Sequence, residues 1–169
     1  MTRLDAEPGE PVAGPPDLPL PVEPARAPAE RIRVAAYAFC RDDDGRVLLA
    51  HIAPSVGVGD VWTLPGGGLA FGEAPARACL RELREETGYT GEIVRLLDVS
   101  DRLFEPAVGG ERLHAIRVVY EVRVVGGRLR DEPDGSTDRA AWFAPAAARR
   151  LRLGGLARRM VTQETAGAK

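Results

Sequence analysis

Eight of the chain's 14 prolines fall within its first 29 residues: Pro8, Pro11, Pro15, Pro16, Pro19, Pro21, Pro24 and Pro28. Proline cannot donate to a helix or ladder hydrogen bond and pushes the residue before it away from helix. The segment also has no aromatic residue and no helical or strand period. It is therefore expected to be a disordered, extended leader, or else an arm packed on a partner subunit. Any fold must be built from the remaining residues, about 140 of the 169. Arg3 and Arg26 stand against Asp5, Glu7, Glu10, Asp17 and Glu23, so the leader carries −3 and the rest +1 of a total of −2.

That remainder is the size of one domain with a real core. A hydrophobic content of 44% and a charged content of 28% are ordinary for a globular chain and exclude wholesale disorder. No apolar run approaches the ~18 residues of a membrane span, and no secretory h-region opens the sequence. Cys40 and Cys79 are too few for a disulfide framework or a metal cluster. A cytoplasmic location follows as the default expectation. Near-neutral charge argues against a broad electrostatic hold on nucleic acid.

Residues 31–39 alternate and then run apolar, as a half-buried strand does. Asp42-Asp43-Asp44-Gly45 is a turn signal before a second strand at 46–51, so a hairpin is expected. Residues 61–64 predict a short strand that Pro65-Gly66-Gly67-Gly68 ends. Over 74–87, Ala76, Cys79, Leu80, Leu83 and Thr87 recur at three- and four-residue steps, predicting an amphipathic helix closed by Gly88. Strands are expected from 93 to 97, from 113 to 125 and from 140 to 143, with a polar loop over 101–111. Helices are expected at 146–151 and 156–161, and a flexible tail over 163–169. The order implies a mixed sheet with helices on its faces, an α/β (α+β) class.

On the helix, Glu82, Glu85 and Glu86 lie at i, i+3 and i+4, so their carboxylates share one side. Like charges at that spacing repel, and a helix C-terminus disfavours anions. Arg77, Arg81 and Arg84 could make this a solvated, ion-paired face. The glycine run Gly66-Gly67-Gly68 and the Gly72-Glu73 entry point elsewhere. A permissive backbone beside clustered carboxylates suits a hard divalent cation such as Mg²⁺, which takes oxygen ligands and bridges substrate phosphate.

Gly67, five residues, Glu73, seven residues, Arg81-Glu82-Leu83, one residue, Glu85-Glu86, one residue and Gly88-Tyr89 together resemble the Nudix box, the signature of the Nudix hydrolase (MutT-like) family. Tyr89 departs from the aliphatic residue usual at that position. The resemblance implies an α/β/α sandwich over residues 30–162. It implies a Mg²⁺-dependent pyrophosphohydrolase, with Mn²⁺ as a substitute, acting on a nucleoside diphosphate linked to another group: ADP-ribose, a nucleotide sugar or a modified nucleoside triphosphate. Glu82, Glu85 and Glu86 would be metal ligands, with the Gly67 carbonyl as a further one. Arg81 would orient those carboxylates. Glu73 would brace the loop. Glu132, or failing it Asp134, would be the additional acid found before the last strand in many members.

Substrate contacts are expected from Arg102, Phe104, Arg112 and Arg117, with Trp62 and His114 as further candidates. Pro106 is similar in placement to a proline of ADP-ribose-hydrolysing members. The alternative is a non-catalytic nucleotide-binding domain acting as sensor or scaffold. RNA decapping is disfavoured by the lack of a basic patch, no membrane partner is expected, and the family often forms homodimers.

Overall fold

A computed structural model describes residues 29–105, 110–132 and 135–166. The proline-rich leader up to residue 28, Pro106, Asp134 and the last three residues of the tail lie outside the described residues.

Among the described residues seven strands and three α-helices follow in chain order: β1 (Glu30–Phe39), β2 (Val47–Ile52), β3 (Trp62–Thr63), β4 (Gly66–Gly68), α1 (Pro75–Thr87), β5 (Tyr89–Phe104), β6 (Arg112–Gly127), β7 (Thr137–Phe143), α2 (Pro145–Ala148) and α3 (Gly155–Ala166), with a single 3-10 turn at Pro54–Val56. They form a four-stranded sheet in the order β4-β1-β6-β5 and a three-stranded sheet in the order β3-β2-β7. The β1–β6 pair is parallel and the rest are antiparallel. Among the described residues no helix is long and apolar enough to cross a membrane.

Side-chain alternation along the strands sorts the core into two layers. Ala36, Ala38, Leu48, Val122 and Ala140 pack with Ala78, Cys79 and Leu83 of α1. Phe39, Val47, Leu49, Trp62 and Val119 pack with Leu156, Ala157, Met160 and Val161 of α3 on the other side. The sheets are thus sandwiched between α1 and α3. Pro75 occupies the first turn of α1, where its missing N–H is harmless, and the Gly88 N–H closes the helix on the Arg84 carbonyl.

Five local readings are corrected. The Asp42–Gly45 turn forms, with Asp42 accepting from the N–H groups of Asp44 and Arg46, but β1 and β2 part beyond it into different sheets. Val47 to Ala50 have no exposed surface: Val47 and Leu49 face the α3 layer and Leu48 the α1 layer, while β3 and β7 pair along the edges of β2. The glycine run is itself a strand, paired with β1. Residues 101–104 continue β5 rather than opening a loop, because β6 pairs with them as far as Phe104. The second helix is a single turn ending at Ala148, and α3 runs through Gln163 to Ala166.

Candidate active site

β4 lies at an edge of the larger sheet, and α1 crosses beside it. Pairing places Gly66, Gly67 and Gly68 opposite Tyr37, Ala36 and Ala35. Gly66 has φ +149°, and a Cβ there would lie 2.3 Å from the Ala36 carbonyl oxygen. Only glycine allows this close approach. Its N–H then donates to Glu86 Oε2 at 2.8 Å. A Cβ on Gly67 would lie 2.7 Å from the Glu82 carboxylate. The glycine strand is therefore a cradle filled by two carboxylates of α1.

Glu86 is 2% exposed. Burial is the main cause lifting its pKa to about 8, and the neighbouring charges of Glu82 and Glu132 lift it further, against hydrogen bonds from Gly66 and Thr137. Glu132 accepts from the Thr137 hydroxyl at 3.1 Å. Residues from α1, the segment before β7 and β7 itself thus meet at one place.

Arg81 faces the other carboxylates. Its Nε and Nη2 hold both oxygens of Glu73 at 2.9 Å, Nη1 reaches Glu82 at 2.7 Å and Glu85 at 3.0 Å, and Nη2 donates to the Gly68 carbonyl at 3.2 Å. All five guanidinium N–H groups are used. These bonds, with one from the Ala70 N–H, hold Glu73 down at about 2. Arg81 does not bond Glu86.

Oxygen donors from carboxylates and a glycine carbonyl are the donor set a hard divalent cation takes, and the buried, proton-holding Glu86 beside two acids fits such an ion. Among the described residues no three acidic, histidine or cysteine side chains are already gathered as a cage. Glu82 and Glu85 instead lean on Arg81, and the side chain of Glu85 is 50% exposed.

On the α3 side of β1 and β6 opens a cleft of about 250 Å³, lined among others by Arg33, Tyr37, Phe104, Arg117 and the start of α3 at Gly155. Gly68, Ala35 and Arg117 are in register across three strands, so the cleft and the glycine cradle share one row of the sheet. Burial raises the Tyr37 pKa, Arg33 and Arg117 oppose this, and Glu86 and Glu82 add to it. Tyr37 is therefore within electrostatic reach of both the arginines and the carboxylates. The Arg117 Nε is buried without a hydrogen-bond partner, while its Nη2 donates to the Asp101 carbonyl.

The structure thus sets Glu86 within electrostatic reach of Glu82 and Glu132 without gathering them as a cage, lays Gly67 against Glu82, clamps Glu82 and Glu85 with Arg81, and sets Phe104 and Arg117 in the cleft. Arg102 stacks its guanidinium 5.1 Å over Phe104. Arg112 lies away from the cleft, tied to Glu105 and Glu30. His114 pairs with Asp101. Trp62 is core, 8% exposed and edge-on to Phe143 at 4.8 Å. Arg33, Tyr37 and Thr137 escape a sequence reading focused on the helix. The two-residue step of Arg33, Ala35 and Tyr37 along β1 was the available signal for the first two.

The NUDIX domain model matches residues 31–163. An RNA pyrophosphohydrolase of Saccharophagus degradans is 42% identical over 72 residues, 43% of this chain and 41% of the relative. The crystal structure of a MutT NUDIX hydrolase from Burkholderia pseudomallei aligns with a TM-score of 0.61 at 32% identity, covering 79% of this chain and 98% of the other. A NUDIX hydrolase from Nitrosomonas europaea aligns with a TM-score of 0.64 at 26% identity, covering 82% and 92%. The chain spans only 28% to 43% of the length of five curated relatives. Members of this family are pyrophosphohydrolases that generally use divalent metal ions. With the glycine cradle, the carboxylates of α1 and a matching α/β fold in place, the chain belongs to the Nudix family.

Proposed function

We propose that this chain is a Mg²⁺-dependent pyrophosphohydrolase, with Mn²⁺ able to substitute, that acts on a nucleoside diphosphate linked to a further group. The observation that carries this reading is Glu86: a buried carboxylate within electrostatic reach of Glu82 and Glu132, with no ion pair among the described residues. Such a group either keeps a proton or meets a divalent ion.

Glu82, Glu85 and Glu86, with the Gly67 carbonyl, would hold the metal. Bound there, such an ion would supply charge neutralisation on the pyrophosphate and make water a better nucleophile. The chain's own groups do the rest. Gly66 holds Glu86 in place through its N–H. Arg81 fixes Glu82 and Glu85 relative to the Glu73 loop. Glu132, which accepts a hydrogen bond from Thr137, would take the proton of an attacking water. Arg33 and the orphaned Arg117 Nε would receive substrate phosphate or sugar oxygens in the cleft, and Phe104 offers a ring face to a base. Catalysis is assigned to residues 30–162, and a chain lacking residues 1–29 is expected to retain turnover.

The test is hydrolysis of ADP-ribose, a nucleotide sugar and a nucleoside triphosphate with Mg²⁺ or Mn²⁺, alongside calorimetric titration of each metal. Turnover and metal binding are expected in the wild type, and both should be lost in Glu86→Gln. Full activity in that variant, or no turnover on any substrate, would overturn the reading.

A further inference from the structure

A net charge near zero hides a concentrated basic region. Arg77 and Arg84 project from α1, and Arg128 and Arg130 follow β6. The four line two adjoining depressions of about 580 and 400 Å³ that share Arg84 and Arg130. All four are exposed. None makes an ion pair among the described residues, whereas Arg31, Arg46, Arg95, Arg112, Arg123 and Arg159 each hold a carboxylate.

Their placement is set by the backbone. The Arg130 N–H donates to the Thr87 carbonyl at 3.0 Å, and Gly88 lies against the Arg128 carbonyl. A cation at a helix C-terminus offsets the dipole, which accounts for one arginine but not for four unpaired ones together. Mutual repulsion makes such a group unfavourable unless an anion joins it. The acid lining the larger depression is Glu85, already bonded to Arg81 at 3.0 Å. Through that pair the groove begins where the carboxylate site ends.

We propose that this groove is a phosphate subsite, taking phosphate groups beyond the scissile pair of a phosphate-rich substrate. The proposal rests on the hydrolase reading above and specifies its substrate class. Arginine forks suit phosphate oxygens bidentately, and several of them in a row match a polyphosphate chain rather than a single ion. A free polyphosphate has the same chemistry, and the experiment separates the two sources.

Inorganic tripolyphosphate is titrated calorimetrically into the full-length protein in chelator, at low and high salt. Binding is expected, weakening steeply with salt. The double variant Arg84→Gln/Arg130→Gln should bind at least about tenfold more weakly, while Arg95→Gln/Arg123→Gln, which removes paired arginines, should bind as the wild type does. Absence of binding, or equal binding by the first double variant, overturns the subsite. The second arm is kinetic. The first variant should raise KM for a nucleoside tetraphosphate about tenfold relative to KM for a two-phosphate substrate. Tripolyphosphate binding with that ratio unaltered would assign the groove to a free polyphosphate and overturn the substrate role. The titration needs neither metal nor turnover, so its failure is distinct from failure of the hydrolase reading.

Discussion

Burying a carboxylate among other carboxylates costs folding free energy, and Glu86 bears that cost for the sake of the site. A pKa near 8 means that the metal-free fold keeps a proton which the unfolded chain would release above about 4.5. Stability from this group is fully present below the unfolded value and is lost as pH rises through about 8, a loss on the order of a few kcal/mol. In chelator, the wild-type melting temperature should therefore fall between pH 5 and pH 8.5 more than that of Glu86→Gln; parallel profiles would contradict the assignment. The two glycines of the cradle should separate in the same way. Gly66→Ala drives a Cβ into the Ala36 carbonyl and is expected to cost about 2 kcal/mol or more. Gly67→Ala meets only the movable end of Glu82. It should leave stability within about 0.5 kcal/mol of wild type while turnover falls, as chemical denaturation and kinetics would show.

At the scale of elements, α1 is coupled to the loop before it by one guanidinium. Arg81 binds Glu73 eight residues earlier and two acids on its own helix, so loop and helix move as one unit. Arg81→Lys keeps the charge but loses the planar fork, and should reduce kcat about 10- to 100-fold without unfolding the protein. Glu73 gives an independent readout. Its depressed pKa contributes stability above about 4.5 that is lost as pH falls through about 2. In Arg81→Gln its carboxyl titration, followed by NMR, should move up toward the ordinary value. The helix was legible in the sequence because its apolar steps and its Gly88 stop are local. The spacing of Glu82, Glu85 and Glu86 also placed them on one side. Their division, with Glu86 buried and Glu85 half exposed, was not legible, because it depends on a glycine strand that pairs with β1 some thirty residues away in sequence.

Across the whole molecule, Trp62 joins the smaller sheet to α3: its N–H donates to the Arg152 carbonyl, its own carbonyl accepts from Gly154, and its ring packs on Phe143 and His51. Trp62→Ala should cost about 3–5 kcal/mol by urea denaturation, a value that a base-stacking surface residue would not show. The strands β1, β2, β3, β6 and β7, the mixed class and the Nudix box were legible in the sequence alone, since each rests on residue spacing within a short window. Partner choice was not. The turn at Asp42–Gly45 was readable, yet the strands on either side of it enter different sheets: β2 packs one face on the α1 layer and the other on the α3 layer and pairs along its edges with β3 and β7. Net charge was likewise readable, but not that Arg77, Arg84, Arg128 and Arg130 would meet along one groove with no ion pair among the described residues. Only the tertiary structure decided which strands pair, which glutamate loses its water and where the arginines gather, because pairing, desolvation and charge density are set by residues distant in the chain.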